Sequence, residues 1–350
     1  MPAIELSWEQ ISTELAAWER KLASGHKTLR DASDAKPGAS ARELVFEHGK
    51  ARLYRYRPRR PDLQAVPTLI VYALVNRPAM ADLEQDRSLV QGLLERGVDV
   101  HLIEWEDPTS LDSALTLGDY IDRDLGACVD WLGAGGRSVN LVGICQGGTF
   151  ALCFAALHPD KVRNLVVTVT PVDFHTPQDM LSNWLRHVDL DLLGHCNLSG
   201  DTLNALFLSL KPLRLTQAKY VGLVAQLGDR AAVETFMRME QWIFDSPDLA
   251  GTALREFAQH FYRDNSLVRG GLKIGGRAVT LDAITMPVLN IFAADDHLVP
   301  PAASRALGKH LPAGDYTELE VPGGHIGIYV GNRSRKLVAD SIGDWLASRC

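Results

Sequence analysis

Residues 143 to 147 read Gly143-Ile144-Cys145-Gln146-Gly147, directly after an apolar run, Ser138-Val139-Asn140-Leu141-Val142. A Gly-x-nucleophile-x-Gly pentapeptide at a strand end predicts a nucleophile elbow, a sharp strand-to-helix turn that presents one side chain. The flanking positions must be small, because a Cβ there would collide with the neighbouring strand and the following helix. Here the nucleophile is a cysteine. An oxygen nucleophile suffices for hydrolysing esters. A thiolate instead makes a thioester, which keeps the acyl group activated for onward transfer. The elbow therefore implies acyl chemistry, and the sulfur points to transfer over hydrolysis.

A thiol in this position needs a base, and the base needs an orienting or relaying acid. In α/β-hydrolase architecture these follow in chain order as nucleophile, acid and histidine. The loop after the penultimate expected strand supplies Ala294-Asp295-Asp296-His297-Leu298-Val299-Pro300. Asp296 is preferred to Asp295 because it stands three residues before Val299-Pro300, the spacing usual for the acid. After the last expected strand comes Pro322-Gly323-Gly324-His325, where two glycines let the backbone turn tightly and bring the imidazole over the elbow. His297 is a rival base, although beside Asp296 at a strand end it more naturally points away or caps the next helix. His158, His260 and His310 read as helix-end or surface residues. For the oxyanion hole the backbone N–H after the nucleophile, that of Gln146, needs a second donor from the loop Val75-Asn76-Arg77-Pro78. Val75 and Asn76 both remain candidates. The helix starting at Gly147 aims its positive end at Cys145, and Cys153 beyond it reads as core packing.

Positioning these residues requires a particular frame. Residues 7 to 31 predict an amphipathic helix, with Ser7 and Gln10 as a capping box and Ile11, Leu15, Trp18 and Leu22 at helical spacing. Alternating segments at 43–47 and 51–57 form a hairpin. Strands at 68–74, 98–105, 138–143 and 164–170 then alternate with helices at 87–96, 117–132 and 147–158. That rhythm predicts a mostly parallel, doubly wound sheet with helices on both faces. It stops after Pro171, and 173–280 reads as an inserted helical cap. A strand at 287–292, a helix at 302–310, a strand at 316–321 and a helix at 332–348 close the fold. The expected organisation is thus 1–172 as the N-terminal helix and first part of the core, 173–280 as the cap, and 281–350 as the second part of the core.

Composition sets the outer limits. The 350 residues are 46% hydrophobic and 23% charged, which suits one large α/β domain with an insertion. A net charge of −7 and the lack of any Lys/Arg run give no attraction to nucleic acid or anionic membranes. The first residues lack the basic and apolar regions of a signal peptide. No apolar stretch approaches the roughly 20 residues that span a bilayer. The five cysteines form no CxxC pair and no metal-like cluster with histidine, and read as reduced thiols in a cytoplasm.

With these motifs in place, the chain resembles a polyhydroxyalkanoate synthase, specifically the catalytic subunit of the two-subunit class III type. The resemblance runs from about Tyr54 to the C-terminus. It rests on Tyr72-Ala73-Leu74-Val75-Asn76-Arg77-Pro78, Val142 to Gly148, Val169-Thr170-Pro171-Val172-Asp173-Phe174 and Trp242 to Asp248, together with Asp296-His297-Leu298-Val299-Pro300-Pro301 and Gly323-Gly324-His325-Ile326-Gly327-Ile328. The long single-subunit synthases carry an extra N-terminal domain that the chain lacks, again in keeping with the two-subunit type. The resemblance implies an acyltransferase that polymerises (R)-3-hydroxyacyl-CoA, chiefly 3-hydroxybutyryl-CoA, with release of CoA. It assigns Cys145 as the acyl-carrying nucleophile, His325 as its base, and Asp296 as the group promoting attack by the substrate's 3-hydroxyl. Trp242 matches a family tryptophan, with structural and catalytic roles both open. No cofactor is implied beyond the CoA carried in by the substrate. A second synthase subunit, a homo-oligomer and attachment to cytoplasmic polymer granules are implied as well. The rival readings are a cysteine hydrolase of the same fold acting on a lactone or thioester, and a granule-bound protein without chemistry.

Overall fold

The apolar runs at 68–71, 139–144, 162–168 and 288–293 become adjacent strands, almost every residue of which is buried, as expected of strands covered on both faces. In the computed structural model they form the centre of an eight-stranded sheet. We number its strands β1 (Arg42–His48), β2 (Ala51–Tyr56), β3 (Thr68–Val71), β4 (Val100–Trp105), β5 (Val139–Ile144), β6 (Val162–Thr168), β7 (Val288–Ala293) and β8 (Tyr316–Val321). Their spatial order is β1-β2-β4-β3-β5-β6-β7-β8. From β4 to β8 every pairing is parallel, while β2 runs antiparallel to β1 and to β4. The structure describes residues 7–32, 34–185, 187–209, 217, 219–331 and 334–349.

Two strands end earlier than their hydrophobic runs suggest, and in each case the backbone has other partners. β3 stops at Val71, after which the Tyr72 carbonyl accepts from Trp105 Nε1 and the Leu74 amide donates to Gln146 Oε1. β6 stops at Thr168 because Val169 takes a positive φ of 44°, an outlier for a β-branched residue. The helix expected from Arg87 begins at Leu89, capped by Ser88, whose hydroxyl accepts from the Gln91 amide. Arg87 and Ser88 belong instead to a small ribbon with Asp82–Glu84. Between 173 and 280 the described residues are largely helical, with a short ribbon pairing Lys273–Ile274 with Arg277–Ala278.

The chain divides into two compact units, one formed by residues up to Pro37 with Asn204–Phe244, the other by Gly38–Leu203 with Asp245–Cys350. The first is helical. Its helix Trp8–Asp31 starts at Ser7, which makes no side-chain capping bond, so the expected capping box is not formed. Near the helix C-terminus, Gly25 lies against Leu227, and Ala32, Leu223, Leu227 and Val233 make a small core. Nearer the N-terminus the apolar stripe is open, with Trp8, Leu15, Trp18 and Leu22 all exposed. The second unit contains the whole eight-stranded sheet with Cys145, Asp296 and His325, whereas Trp242 belongs to the first.

Candidate active site

At the end of β5 the chain turns into the helix Gln146–Leu157 through Cys145, which has φ 54° and ψ −122°. A non-glycine residue in such backbone is strained by about 1–3 kcal/mol and persists only when its surroundings fix it. Here the Cys145 amide donates to the Thr168 carbonyl at 3.0 Å, and the Cys145 carbonyl accepts from Gly148 at 2.9 Å. The flanking glycines are required by space. A Cβ on Gly143 would lie 2.4 Å from Gly148 Cα, and one on Gly147 would lie 2.2 Å from the Val71 carbonyl oxygen. Gly148 is constrained too, since a Cβ there would run into the Thr170 side chain, although it falls outside the pentapeptide.

The acid and histidine loops leave neighbouring parallel strands and are tied together. Ala294 N–H donates to Val321 O, and Asp295 N–H donates to Gly323 O at 2.9 Å. Gly323 has a φ of 114°, the conformation that lets the histidine loop turn back. Gly324 is not in the left-handed region, so one glycine rather than two does this work. Asp296 points inward and His325 meets it, Nδ1 to Oδ2, at 2.7 Å. Asp295 is exposed and His297 half-buried. The other Asp296 oxygen, Oδ1, accepts from the amides of Leu298 at 2.9 Å and Val299 at 3.0 Å. The Asp296 side chain has no exposed surface.

Because an ionised carboxylate only accepts, Nδ1 of His325 carries the proton toward Asp296 and Nε2 is left for the thiol. Cys145 is close enough to act on His325 as well. Burial by itself pushes the imidazolium pKa down. The interactions with Asp296 first and then with Cys145 outweigh it and hold His325 well above the ordinary imidazole range. Cys145 is half-buried, whereas Cys128 and Cys153 are fully buried. Burial pushes Cys128 and Cys153 up to about 12, which keeps both protonated.

Sequence reasoning missed two supports of this line. Tyr329, four residues after His325, hydrogen-bonds the Thr168 hydroxyl at 2.5 Å, and Thr168 Oγ1 in turn donates to Gly143 O. The pair links the histidine loop to β6 and the elbow. No local motif announces it, because the partners lie 161 residues apart. The second is the bond from Leu74 N–H to Gln146 Oε1 at 2.9 Å, which takes the Leu74 amide out of contention as an oxyanion donor. Gln146, Val75 and Asn76 are all half-buried, the last two in the loop after β3. Of the remaining histidines, His158 pairs with Asp122 at 2.6 Å, His260 is half-buried and His310 exposed. Trp242 is buried on the helix Arg230–Phe244. Among the described residues no group of three His, Cys, Asp or Glu is placed to hold a metal ion, and no helix is long and apolar enough to cross a membrane.

A cysteine elbow and a buried His–Asp pair at the C-terminal ends of a mostly parallel sheet define an α/β-hydrolase-fold protein. The alpha/beta hydrolase fold family matches residues 69–332. Solved structures agree on the fold, among them a monoacylglycerol lipase from Paleococcus ferrophilus (18% identity, TM-score 0.53, 81% of this chain and 96% of that one). Within that fold the chain is similar to the poly(3-hydroxyalkanoate) polymerase subunit PhaC of Allochromatium vinosum, 51% identical over 99% of both chains. It is 49% identical to the subunit of the same name from Thiocystis violacea over the full length of both, and 44% identical to that of Synechocystis over 99% of this chain and 95% of that one. The chain belongs to the poly(3-hydroxyalkanoate) polymerase PhaC family, of the class III type.

Proposed function

We propose that this chain is an acyltransferase that polymerises (R)-3-hydroxyacyl-CoA, chiefly 3-hydroxybutyryl-CoA, into polyhydroxyalkanoate through thioesters on Cys145. The observation that carries the reading is a cysteine at the strained elbow, beside the buried His325–Asp296 pair, in a chain half identical to polymerase subunits over its whole length. In loading, Nε2 of His325 takes the Cys145 proton and the thiolate adds to the substrate's thioester carbonyl. The backbone N–H of Gln146, with that of Val75 or Asn76, faces the oxyanion. Addition forms the Cys145–acyl bond, and collapse re-forms the carbonyl and breaks the bond to CoA, which leaves as a thiol with the proton from His325. In elongation a 3-hydroxyl attacks an acyl thioester, and its proton must also be removed.

The role implied for Asp296, promotion of that attack, is assigned here through His325 rather than by direct contact. Both carboxylate oxygens are engaged and the side chain is fully covered, so no surface is left for a substrate hydroxyl. Asp296 fixes the imidazole tautomer and raises its basicity for both steps. A thioester suits repeated transfer, because moving the chain from sulfur to a hydroxyl runs downhill. No cofactor is required beyond the CoA that enters with the substrate.

The test is incubation with 3-hydroxybutyryl-CoA while CoA release and turbidity are followed together. Both should rise in step. CoA release with only free acid would instead establish a cysteine hydrolase, and no release at all a non-catalytic granule protein. We further assign a second, helical synthase subunit as the partner, with the open stripe of Trp8, Leu15, Trp18 and Leu22 as its docking face, and polymer granules in the cytoplasm as the location. Full, lag-free activity of the purified chain would remove the need for that partner.

A further inference from the structure

The residue after the nucleophile has one assigned duty, its backbone N–H. Its side chain carries a second. Residues 72–78 form the loop that must supply the other oxyanion donor, and bonds from outside the loop hold it at Tyr72, Leu74 and Arg77. Trp105 Nε1 donates to the Tyr72 carbonyl at 3.0 Å. The Leu74 amide donates to Gln146 Oε1 at 2.9 Å. Arg77 pairs with Asp107 at 2.8 Å and with Asp245 at 3.4 Å. Val75 and Asn76 lie between the second and third bonds.

Of these bonds, the one from Gln146 links the loop to the elbow itself. It fixes the amide of Leu74, and the next peptide unit in the chain is the one that carries the Val75 N–H. With the Leu74 amide anchored, that unit has little freedom to swing. One residue thereby joins both halves of the oxyanion hole, one donor through its own backbone and the other through its side chain. We propose that the Gln146 side chain is a positioning residue that sets the second oxyanion donor against the first.

The proposal rests on the reading of Cys145 as the acyl-carrying nucleophile, and its test separates the two. Acylation of Cys145 by a thioester passes through an oxyanion, whereas alkylation of the same sulfur by iodoacetamide does not. Both report on the thiolate and on His325, but only acylation reports on the hole. Gln146→Met keeps the side-chain volume and the backbone N–H and loses the acceptor. Removal of a whole oxyanion donor slows such reactions by about 10²–10³-fold, so a donor left in place but unanchored should slow acylation by about 10–10²-fold. The alkylation rate of Cys145 should stay within about twofold of wild type, a readout that a general structural defect would not spare. Gln146→Ala, at a half-buried position, should give the same pattern without the larger side chain.

The measurement is the single-turnover rate of 3-hydroxybutyryl transfer from CoA, followed by protein mass, beside the iodoacetamide rate. A drop in acylation alone supports the proposal. Equal drops in both rates, or no drop in either, would overturn it. If wild-type protein gains no acyl mass at Cys145 while iodoacetamide still labels it, the underlying mechanism fails instead.

Discussion

Substitution of Asp296 by asparagine keeps the shape of the side chain and reverses one hydrogen bond. Two backbone amides, at 2.9 and 3.0 Å, require an oxygen at the Oδ1 position, so the new NH2 group must face His325. A donor there forces Nδ1 of His325 to accept, moves the proton to Nε2, and leaves Nε2 unable to take the Cys145 proton. The charge that opposes burial at His325 is lost at the same time, so the imidazole becomes a weaker base. Positioned general-base catalysis contributes about 10²–10⁴-fold. At 1.36 kcal/mol per decade this is about 2.7–5.4 kcal/mol on the barrier. The loss applies wherever His325 moves a proton, so loading and elongation should slow together. Rapid mixing with 3-hydroxybutyryl-CoA, an acid quench and intact-protein mass spectrometry would measure loading directly. Wild-type-rate loading of Asp296→Asn, followed by a stalled acyl-enzyme, would refute the reasoning. It would mean that Asp296 leaves its two amide bonds and meets the substrate hydroxyl itself.

The elbow and the pH dependence can be tested separately. Gly147→Ala places a methyl group 2.2 Å from a backbone carbonyl of a central strand, which cannot rotate away, and should cost about 3 kcal/mol, the upper end for overpacking, by thermal or urea unfolding. Gly222→Ala, in a helix with open space around it, should be neutral or stabilising by up to about 1 kcal/mol, and equal effects at the two sites would contradict the packing argument. Because the His325 pKa is raised on folding, its stabilising contribution is fully present below about pH 6.5 and is lost as pH rises through the raised value. The Tm advantage of wild type over His325→Gln should therefore shrink as pH increases, and an advantage that grew would show the sign to be wrong.

The elements carrying the site were legible because their signals are local. A parallel central strand announces itself as an apolar run, and Cys145 and Asp296 each sit just after one, while His325 follows the half-exposed edge strand Tyr316–Val321 and was found from its Gly-Gly-His turn. Gly143 and Gly147 could be read as spatial necessities, and the structure supplies the colliding atoms. What escaped reading depends on partners far away in sequence. The end of β3 at Val71 depends on Trp105 and Gln146, and that of β6 on the backbone of a single valine. The Tyr329–Thr168 bond had no signal at all. Gly148 did have one, since it completes a Gly-Gly pair at the start of the helix. The hole could be narrowed only as far as Val75 or Asn76, because which amide faces inward depends on loop backbone that composition does not encode.

The central claim is that the growing acyl group is carried on the sulfur of Cys145. The most direct test is intact-protein and peptide mass spectrometry of wild type and Cys145→Ala, acid-quenched within the first turnovers on 3-hydroxybutyryl-CoA. The account predicts hydroxybutyryl mass on the peptide containing Cys145, sensitive to hydroxylamine, and neither adduct nor polymer from Cys145→Ala. Polymer formed by Cys145→Ala, or an adduct confined to another residue, would contradict it.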